Sequence, residues 1–390
     1  MSQTAFAQPP PLKLTSPLDY ADSPLSQAVK QPLMLGLFLN LQDIKVTNLP
    51  TSNTWTFDYN AKIVQQGEAL GFELAFSRTQ WLPKGGYDGD ASLDAFVALG
   101  AMAAITKKIL LISTVHVLYG PWHPLHFAKF GATLDHIAKG RWGVNIVTGH
   151  RAIEHEMFGW QRIEHDKRYA MAAEFFDVVQ RLWADDENYS YEGQLSSWKL
   201  SNAYVTPKPL YGRPVLVNAT GSPAGIDFAA GYSDIVFITS PGGAHIDSAL
   251  ETLPAHIANI REAAAAKRRD VRTLINPIIV SRDTEEETAR YLEAIVSNKP
   301  APVGQQFGRS TYDSDAHAWR GRLDSVNKQG YGLGGNIEII GTPEQVVEQL
   351  VGLTKAGIDG IQLGFHDFQV DLEHFGERIL PLMKQAGLRL

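Results

Sequence analysis

Polar residues interrupt several short apolar runs of the chain, and Asn145 is the clearest case. It lies in the middle of the run Trp-Gly-Val-Asn-Ile-Val at 142–147. A side-chain amide in such a run is buried and has to form hydrogen bonds. A flavin or a similar flat polar ring would provide them, and so would a structural bond to a neighbouring loop. The residue alone leaves both interpretations open.

The loop at 218–223, Asn-Ala-Thr-Gly-Ser-Pro, is a second candidate because it joins an apolar strand to the start of a helix. Backbone N–H groups at a helix N-terminus bind phosphate, and Ser222 adds a hydroxyl. Most loops of this kind only cap a helix, so the pattern indicates a phosphate site weakly.

The charged run at 164–169, Glu-His-Asp-Lys-Arg-Tyr, precedes a strongly periodic helix. Arg168 would supply a guanidinium fork for an anion, and Tyr169 an aromatic ring with a hydroxyl. The alternative is a solvated charge cluster, which is common at helix starts.

Several other chemistries are excluded by what the chain lacks. With no cysteine, it has no thiolate metal ligand, iron–sulfur cluster or cysteine nucleophile. Its twelve histidines form no HExxH or facial-triad pattern, so no metal site is expected. It also has no GxSxG elbow, no P-loop and no GxGxxG after a strand.

The bulk properties favour a cytoplasmic protein that works on a small molecule. The formal charge of −7 gives no overall attraction to nucleic acid or to an anionic membrane. No apolar run approaches the roughly 20 residues that span a bilayer. The N-terminus lacks the basic-then-apolar order of a signal peptide.

Short apolar runs alternate with amphipathic stretches, which predicts eight strand-then-helix units. The strands are apolar on both faces, as a parallel sheet covered by helices requires. Eight units suffice for a closed (β/α)₈ TIM barrel with insertions, in which ligands bind at the C-terminal ends of the strands. A doubly wound open sheet is the alternative. The predicted strands are 33–40, 72–77, 109–115, 142–147, 214–218, 234–238, 274–280 and 360–363.

The predicted domain organisation is one barrel over residues 32–390. Residues 1–31 are rich in Pro, Ser, Gln and Ala and show no period, which predicts a mobile N-terminal arm. The polar, glycine-rich stretch at 298–335 lies between the seventh and eighth strands. A stretch of that length beside the barrel mouth predicts a lid-like insertion.

Several motifs in order resemble the bacterial-luciferase-like, FMNH₂-dependent monooxygenases. Among these, the dimethyl sulfone monooxygenases are most similar, followed by the pyrimidine and alkanesulfonate monooxygenases. The resemblance implies a (β/α)₈ barrel, FMN used as FMNH₂, O₂ as co-substrate, a separate NAD(P)H-dependent flavin reductase, and a homodimer or homotetramer. The motifs lie at 132–137, 140–149, 164–169, 208–210, 340–345 and 375–382.

The resemblance also implies roles for individual residues. Its flavin-binding positions fall on Thr79, Gln80, Asn145, Glu154, Arg168, Tyr169 and Ser222. Thr114 matches a residue near the oxygen pocket. In the catalytic hypothesis Arg168 stabilises negative charge on peroxide or substrate, and His165 moves a proton.

Departures from the family pattern keep other functions open. Relatives usually have Gly-Gly-Ser-Ser in the phosphate loop, where this chain has Ala-Thr-Gly-Ser at 219–222. An FMN-binding protein without turnover is therefore one alternative, and a deazaflavin-dependent dehydrogenase on the same barrel is another. Within the monooxygenases, the substrate is a sulfone or sulfonate cleaved at its C–S bond, or a nitrogen heterocycle such as a pyrimidine.

Overall fold

The computed structural model describes residues 15–42, 47–79, 81–83, 91–118, 122–298, 315, 330–334 and 337–390. Of the sequence predictions, Gln80, residues 1–14 of the arm and most of the 298–335 insertion lie outside the described residues.

A closed parallel β-barrel forms the centre of the structure. Eight strands, β1, β2, β3, β4, β7, β8, β9 and β12, follow one another around it, and β12 pairs with β1 to close it. This confirms the predicted (β/α)₈ fold and rules out the open sheet. In chain order the strands are β1 Met34–Phe38, β2 Leu74–Ser77, β3 Leu110–His116, β4 Trp142–Val147, β5 Tyr189–Glu192, β6 Lys199–Ala203, β7 Val215–Ala219, β8 Ile235–Ile238, β9 Arg272–Ile275, β10 Pro277–Val280, β11 Ile337–Ile340 and β12 Gly360–Phe365.

Helices pack around the outside of the barrel. None of the helices in the described part of the chain is long and apolar enough to cross a membrane. They are α1 Pro24–Ala28, α2 Phe57–Ala69, α3 Ala95–Met102, α4 Pro124–Ile137, α5 Ala152–Met157, α6 His165–Ala184, α7 Pro223–Tyr232, α8 Ile246–Ala266, α9 Glu285–Ser297, α10 Pro343–Lys355, α11 Phe368–His374 and α12 Leu380–Gln385, with a π-helical turn at Phe375–Ile379.

The seventh barrel strand differs from its prediction. It is two strands, β9 and β10, separated by Asn276. β9 pairs with β8 and β12, whereas β10 pairs with β12 and with β11, a strand that the sequence did not predict. The sequence pattern also missed the short helix α5, which carries a predicted flavin contact.

Side chains from alternate strands fill the barrel interior in layers, as in other (β/α)₈ barrels. The pairing register puts inward-facing residues of β2, β4, β8 and β12 in one layer. Two of these are phenylalanines whose rings stack with centroids 5.6 Å apart. The other two are amides on opposite walls, on β4 and β12. The four residues are Phe76, Asn145, Phe237 and Gln362.

The N-terminal end of the barrel is closed by α1. Leu25 is fully buried and packs with Ala28 against the interior apolar residues, among them Met34 and Leu110. The prediction of a mobile arm is therefore wrong for residues 15–31. The proline- and serine-rich composition hid two short capped helical turns whose apolar side chains cover the open end of the barrel.

A buried ion pair lies at the same end. Arg213 donates to both oxygens of Asp234, at 2.6 and 2.7 Å. The same carboxylate accepts from the Ser16 hydroxyl at 2.6 Å and from the Leu216 N–H at 2.9 Å. Burial alone would raise the pKa of Asp234, but Arg213 and these hydrogen bonds bring it below its ordinary value.

The residue before β1 and the C-terminal residues also meet at this closed end. The Leu33 N–H donates to the Leu388 carbonyl at 3.2 Å. Arg389 donates to the Leu33 carbonyl at 2.9 Å and forms an ion pair with Glu73. The C-terminal residues are thereby tied to the entry of β1.

Candidate active site

Asn145 and Thr114 face the barrel interior side by side on β4 and β3. The Asn145 Nδ2 donates to the Thr114 Oγ1 at 3.0 Å, and both residues are buried. The Asn145 Oδ1 is buried and accepts no hydrogen bond from any of the described residues. Leaving such an acceptor unsatisfied costs about 1–3 kcal/mol. The hydrogen bond to Thr114 therefore satisfies only the Nδ2 of this amide. A ligand N–H would satisfy its Oδ1.

Thr79 and Glu154 organise the neighbouring wall. The Thr79 Oγ1 accepts from the Ala95 N–H at 3.1 Å, which fixes the end of β2 to the start of α3. The buried Glu154 on α5 accepts from the Trp81 N–H at 3.3 Å and lies 3.5 Å from Arg151. The structure therefore brings these two predicted flavin contacts to the same edge of the mouth.

Arg168, near the start of α6, is almost completely buried and already holds an anion. Its two terminal nitrogens donate to the Asp315 carboxylate at 2.7 and 3.0 Å, and one also donates to the Ile163 carbonyl at 2.6 Å. The Asp315 N–H donates to the His150 carbonyl at 3.1 Å. The predicted fork for a ligand anion is thus occupied by a carboxylate of this chain.

Tyr169 and Ser222 meet at the start of α7. The Ser222 Oγ accepts from the Gly225 N–H at 3.1 Å and caps the helix. The Tyr169 hydroxyl faces the hydroxyls of Thr220 and Ser222, and burial raises its pKa. A Cβ at Gly225 would lie 2.8 Å from the Tyr169 hydroxyl, so only glycine leaves room for this arrangement. The predicted phosphate loop and the predicted tyrosine are therefore in contact.

His165 lies half-buried at the first position of α6. Its Nδ1 is 2.6 Å from the Asp166 Oδ1, and its ring meets the Tyr169 ring edge to face at 5.3 Å. The structure thus brings it beside Tyr169 and the end of α6 that carries Arg168.

Two histidines at the mouth are neutral near pH 7. Burial, with a further contribution from Arg151, lowers the pKa of His116 to about 3. Burial also lowers the pKa of His150 well below its ordinary value. The local positive charge therefore comes from arginines. Among the described residues, no group of His, Cys, Asp or Glu could hold a metal ion.

Two residues of this region were not among the predicted site residues. Gln362 faces the interior from β12, and its Oε1 is buried without a hydrogen-bond partner, as for Asn145. An amide inside the apolar run 360–365 was the available signal, the same one that singled out Asn145. Asp315 gave no such signal, because its contact with Arg168 spans 147 residues of sequence.

Comparison with known proteins identifies the family. The family model described as luciferase-like monooxygenase matches residues 41–360. The chain belongs to the luciferase-like monooxygenases. This confirms the family and the enzyme class that the motifs predicted.

Relatives of this luciferase-like monooxygenase act on different substrates. An FMNH₂-dependent dimethylsulfone monooxygenase of Pseudomonas fluorescens (strain Pf0-1) is 31% identical over 87% of this chain and 91% of its own length. The pyrimidine monooxygenase RutA of Allorhizobium ampelinum is 29% identical over 86% of this chain and 91% of its own length.

Solved structures confirm the fold of this luciferase-like monooxygenase. A riboflavin lyase crystallised with modified FMN and riboflavin superposes with a TM-score of 0.79 at 24% identity, covering 92% of each chain. A long-chain alkane monooxygenase gives a TM-score of 0.76 at 22% identity, again over 92% of each chain.

Proposed function

We propose that this chain is the oxygenase component of a two-component system, which uses FMNH₂ and O₂ to oxidise a small organic substrate. The observation that carries the proposal is the unsatisfied Oδ1 of Asn145, buried on the wall of the mouth. A flavin ring carries an N–H that would satisfy this oxygen. Bound reduced FMN would supply the electrons for oxygen activation, which no side chain of the protein can supply.

Different residues around the mouth would bind different parts of this cofactor. Thr114 orients the Asn145 amide through their 3.0 Å hydrogen bond, so that Oδ1 faces the ring. Tyr169 and Ser222 would hold the phosphate through their hydroxyls, with α7 behind them. Thr79 and Glu154 would hold the end of β2, which Gln80 follows in the sequence, beside the flavin ring.

The roles of Arg168 and His165 follow from their contacts. Because Asp315 and Ile163 take both terminal nitrogens of Arg168, we assign this residue to holding the start of α6 rather than to binding a substrate anion. His165 remains the proposed proton carrier. Asp166 would orient its ring against Tyr169 at the edge of the mouth.

The substrate proposal rests on the relatives. The dimethylsulfone monooxygenase relative supports a sulfone or sulfonate cleaved at its C–S bond, and the pyrimidine monooxygenase relative supports a nitrogen heterocycle. A separate NAD(P)H-dependent flavin reductase would deliver FMNH₂ in either case. The predicted cytoplasmic location stays a prediction, which fractionation of the source cells would test.

We also propose that the chain forms a homodimer or homotetramer. Large apolar side chains are exposed on two neighbouring helices: Val97 on α3, and Phe130 and Ile137 on α4. An apolar surface of this kind marks an interaction site in many proteins. Light scattering after size exclusion should give a mass of two or four chains, and a single-chain mass would contradict the proposal.

The cofactor proposal is tested with Asn145→Leu. We expect FMN affinity to fall about tenfold, because a hydrogen bond to the ring is lost. Stability should be unchanged or higher, since an unsatisfied buried oxygen is removed. The matched control is Asn60→Leu on α2, whose amide donates to the carbonyls of Thr54 and Thr56. This control should lose stability and keep FMN affinity.

Turnover is tested with ¹⁸O₂ and a flavin reductase. One labelled atom should enter the product of a monooxygenase. Tight FMN binding without any oxygen-dependent product would favour a binding protein without turnover. Hydride transfer without oxygen uptake would favour a deazaflavin-dependent dehydrogenase.

A further inference from the structure

Gln362 on β12 is a second unsatisfied amide in the barrel interior. It is 1% exposed, and its Oε1 is buried without a hydrogen-bond partner in the part of the chain that the structure describes. We infer that Gln362 contacts the substrate, and that the substrate presents an N–H or O–H donor to this oxygen. The inference rests on the proposed function, since it assumes that a flavin occupies the Asn145 side of the mouth.

The direction of the Gln362 side chain is fixed by its neighbours. Its Cγ lies 3.2 Å from where a Cβ at Gly36 would be, so the side chain crosses the bare backbone of β1 inside the barrel. The Asn276 Nδ2 donates to the Gln362 carbonyl at 2.7 Å and fixes the backbone at the break between β9 and β10. The backbone and the Cγ of Gln362 are therefore held in place, while the carboxamide oxygen has no hydrogen-bond partner among the described residues.

The same strand has no side chain at the next inward position above this amide. The next inward position is Gly364, where an added Cβ would have its nearest atoms at 3.6 Å. His366 follows, and its Nε2 is also buried without a hydrogen-bond partner. The strand and the residue that follows it thus carry two buried polar atoms that have no hydrogen-bond partner among the described residues, with a glycine between them, and the His366 ring packs edge to face against Tyr291.

The two unsatisfied amides lie on different walls. Asn145 is on β4 and Gln362 on β12, the fourth and eighth strands of the barrel, and the stacked rings of Phe76 and Phe237 come between them. A ligand that satisfies Asn145 from above β4 leaves the Gln362 oxygen unmatched. A second ligand on the β12 side accounts for it.

Hydrogen-bond chemistry indicates the class of that ligand. A carboxamide pairs with a lactam or ureide through the N–H and C=O of the latter together. A sulfone accepts hydrogen bonds only, so it can pair with the N–H groups of the Gln362 amide but not with its oxygen. The geometry therefore favours an N–H-bearing substrate of the amide, lactam or ureide type. The pyrimidine ring of FMN carries the same group, so the experiment has to separate the two sources.

The test compares Gln362→Met with wild type and with a control, Gln180→Met. Gln180 is a buried glutamine on α6, where its amide donates to the Phe176 carbonyl at the far side of the barrel wall. One arm measures the dissociation constant of FMN by fluorescence quenching. The other measures binding of uracil and of dimethyl sulfone to FMN-loaded protein, by saturation-transfer NMR and by thermal shift.

We expect wild type to bind uracil, and Gln362→Met to bind it at least tenfold more weakly with unchanged FMN affinity. Gln180→Met should bind FMN and uracil with the same affinities as wild type. The melting temperature of ligand-free Gln362→Met should be unchanged or higher, because an unsatisfied polar atom is removed.

Three results would overturn the inference. FMN affinity that falls with Gln362→Met would make the residue a flavin contact. Dimethyl sulfone binding that depends on Gln362 as strongly as uracil binding does would contradict the donor argument. Absence of uracil binding by FMN-loaded wild type would do the same. Failure of wild type to bind FMN in the first arm is a separate result, which contradicts the proposed function itself.

Discussion

The two ends of the barrel differ in how their buried carboxylate and amide oxygens are hydrogen-bonded. At the closed end, each oxygen of the Asp234 carboxylate accepts two hydrogen bonds, with Arg213 supplying one to each. At the mouth, Asn145 and Gln362 each leave a buried oxygen unsatisfied. An unsatisfied buried oxygen destabilises a protein. At the closed end the protein itself satisfies the Asp234 oxygens, whereas at the mouth a bound ligand would have to satisfy the two amide oxygens.

The largest expected effect comes from breaking the closed end with Arg213→Ala. This leaves the Asp234 carboxylate buried without its main partner, which typically costs about 3–5 kcal/mol of unfolding free energy. Urea unfolding followed by circular dichroism measures the loss. The FMN affinity of the folded fraction should stay at the wild-type value, and a change in it would mean that the two ends are coupled.

The unfolding free energy should change by a few kcal/mol with pH, because a histidine at the mouth is buried. The folded state lowers the pKa of His116 to about 3, so the unfolded state binds the proton more readily below the ordinary pKa of 6.5. The stability contributed by neutral His116 is therefore complete above pH 6.5 and is lost as pH falls toward 3. Each pKa unit corresponds to about 1.4 kcal/mol.

The variant His116→Gln should therefore show a shallower loss of stability between pH 6.5 and 4. The slope of the unfolding free energy against pH should be reduced rather than abolished, since burial also lowers the pKa of His150 and His155. Thermal melts across this range measure it. His126→Gln, on the exposed face of α4, is the control, and an equal change there would contradict the assignment.

A smaller effect is expected from Asp315→Asn, which removes the charge that pairs with Arg168. The start of α6 should lose order beside Tyr169, and FMN affinity should fall about tenfold, within the range for hydrogen bonds to charged groups. Asp315→Glu should recover part of the affinity. Asp283→Asn, which breaks the exposed pair with Arg378, is the control. Tighter FMN binding by Asp315→Asn would show instead that this carboxylate competes with an anion.

The sequence predicted the barrel well because its signals are local. A short apolar run is visible in the order of residues, and each of the eight predicted barrel strands overlaps an observed one. The closed end was mispredicted because residues 15–31 resemble a linker in composition. Leu25 is buried only against residues of several folded strands, so its role in closing the barrel is not visible in the local sequence.

The candidate site was predictable in part, for the same physical reason. Asn145 stood out because one amide in an apolar run must find a partner, and Gln362 carried the same signal in a run of the same length. Their placement on opposite walls depends on the register of all eight strands. The pairing of Arg168 with Asp315 depends on a contact between distant parts of the chain, which no local pattern contains.

The meeting of Leu33 with Leu388 and Arg389 beneath the barrel has a practical consequence. A label, a surface tether or a fused reductase attached after the exposed Leu390 would lie at the end of the barrel that faces away from the mouth. Reduced flavin and substrate would still diffuse in from the opposite side.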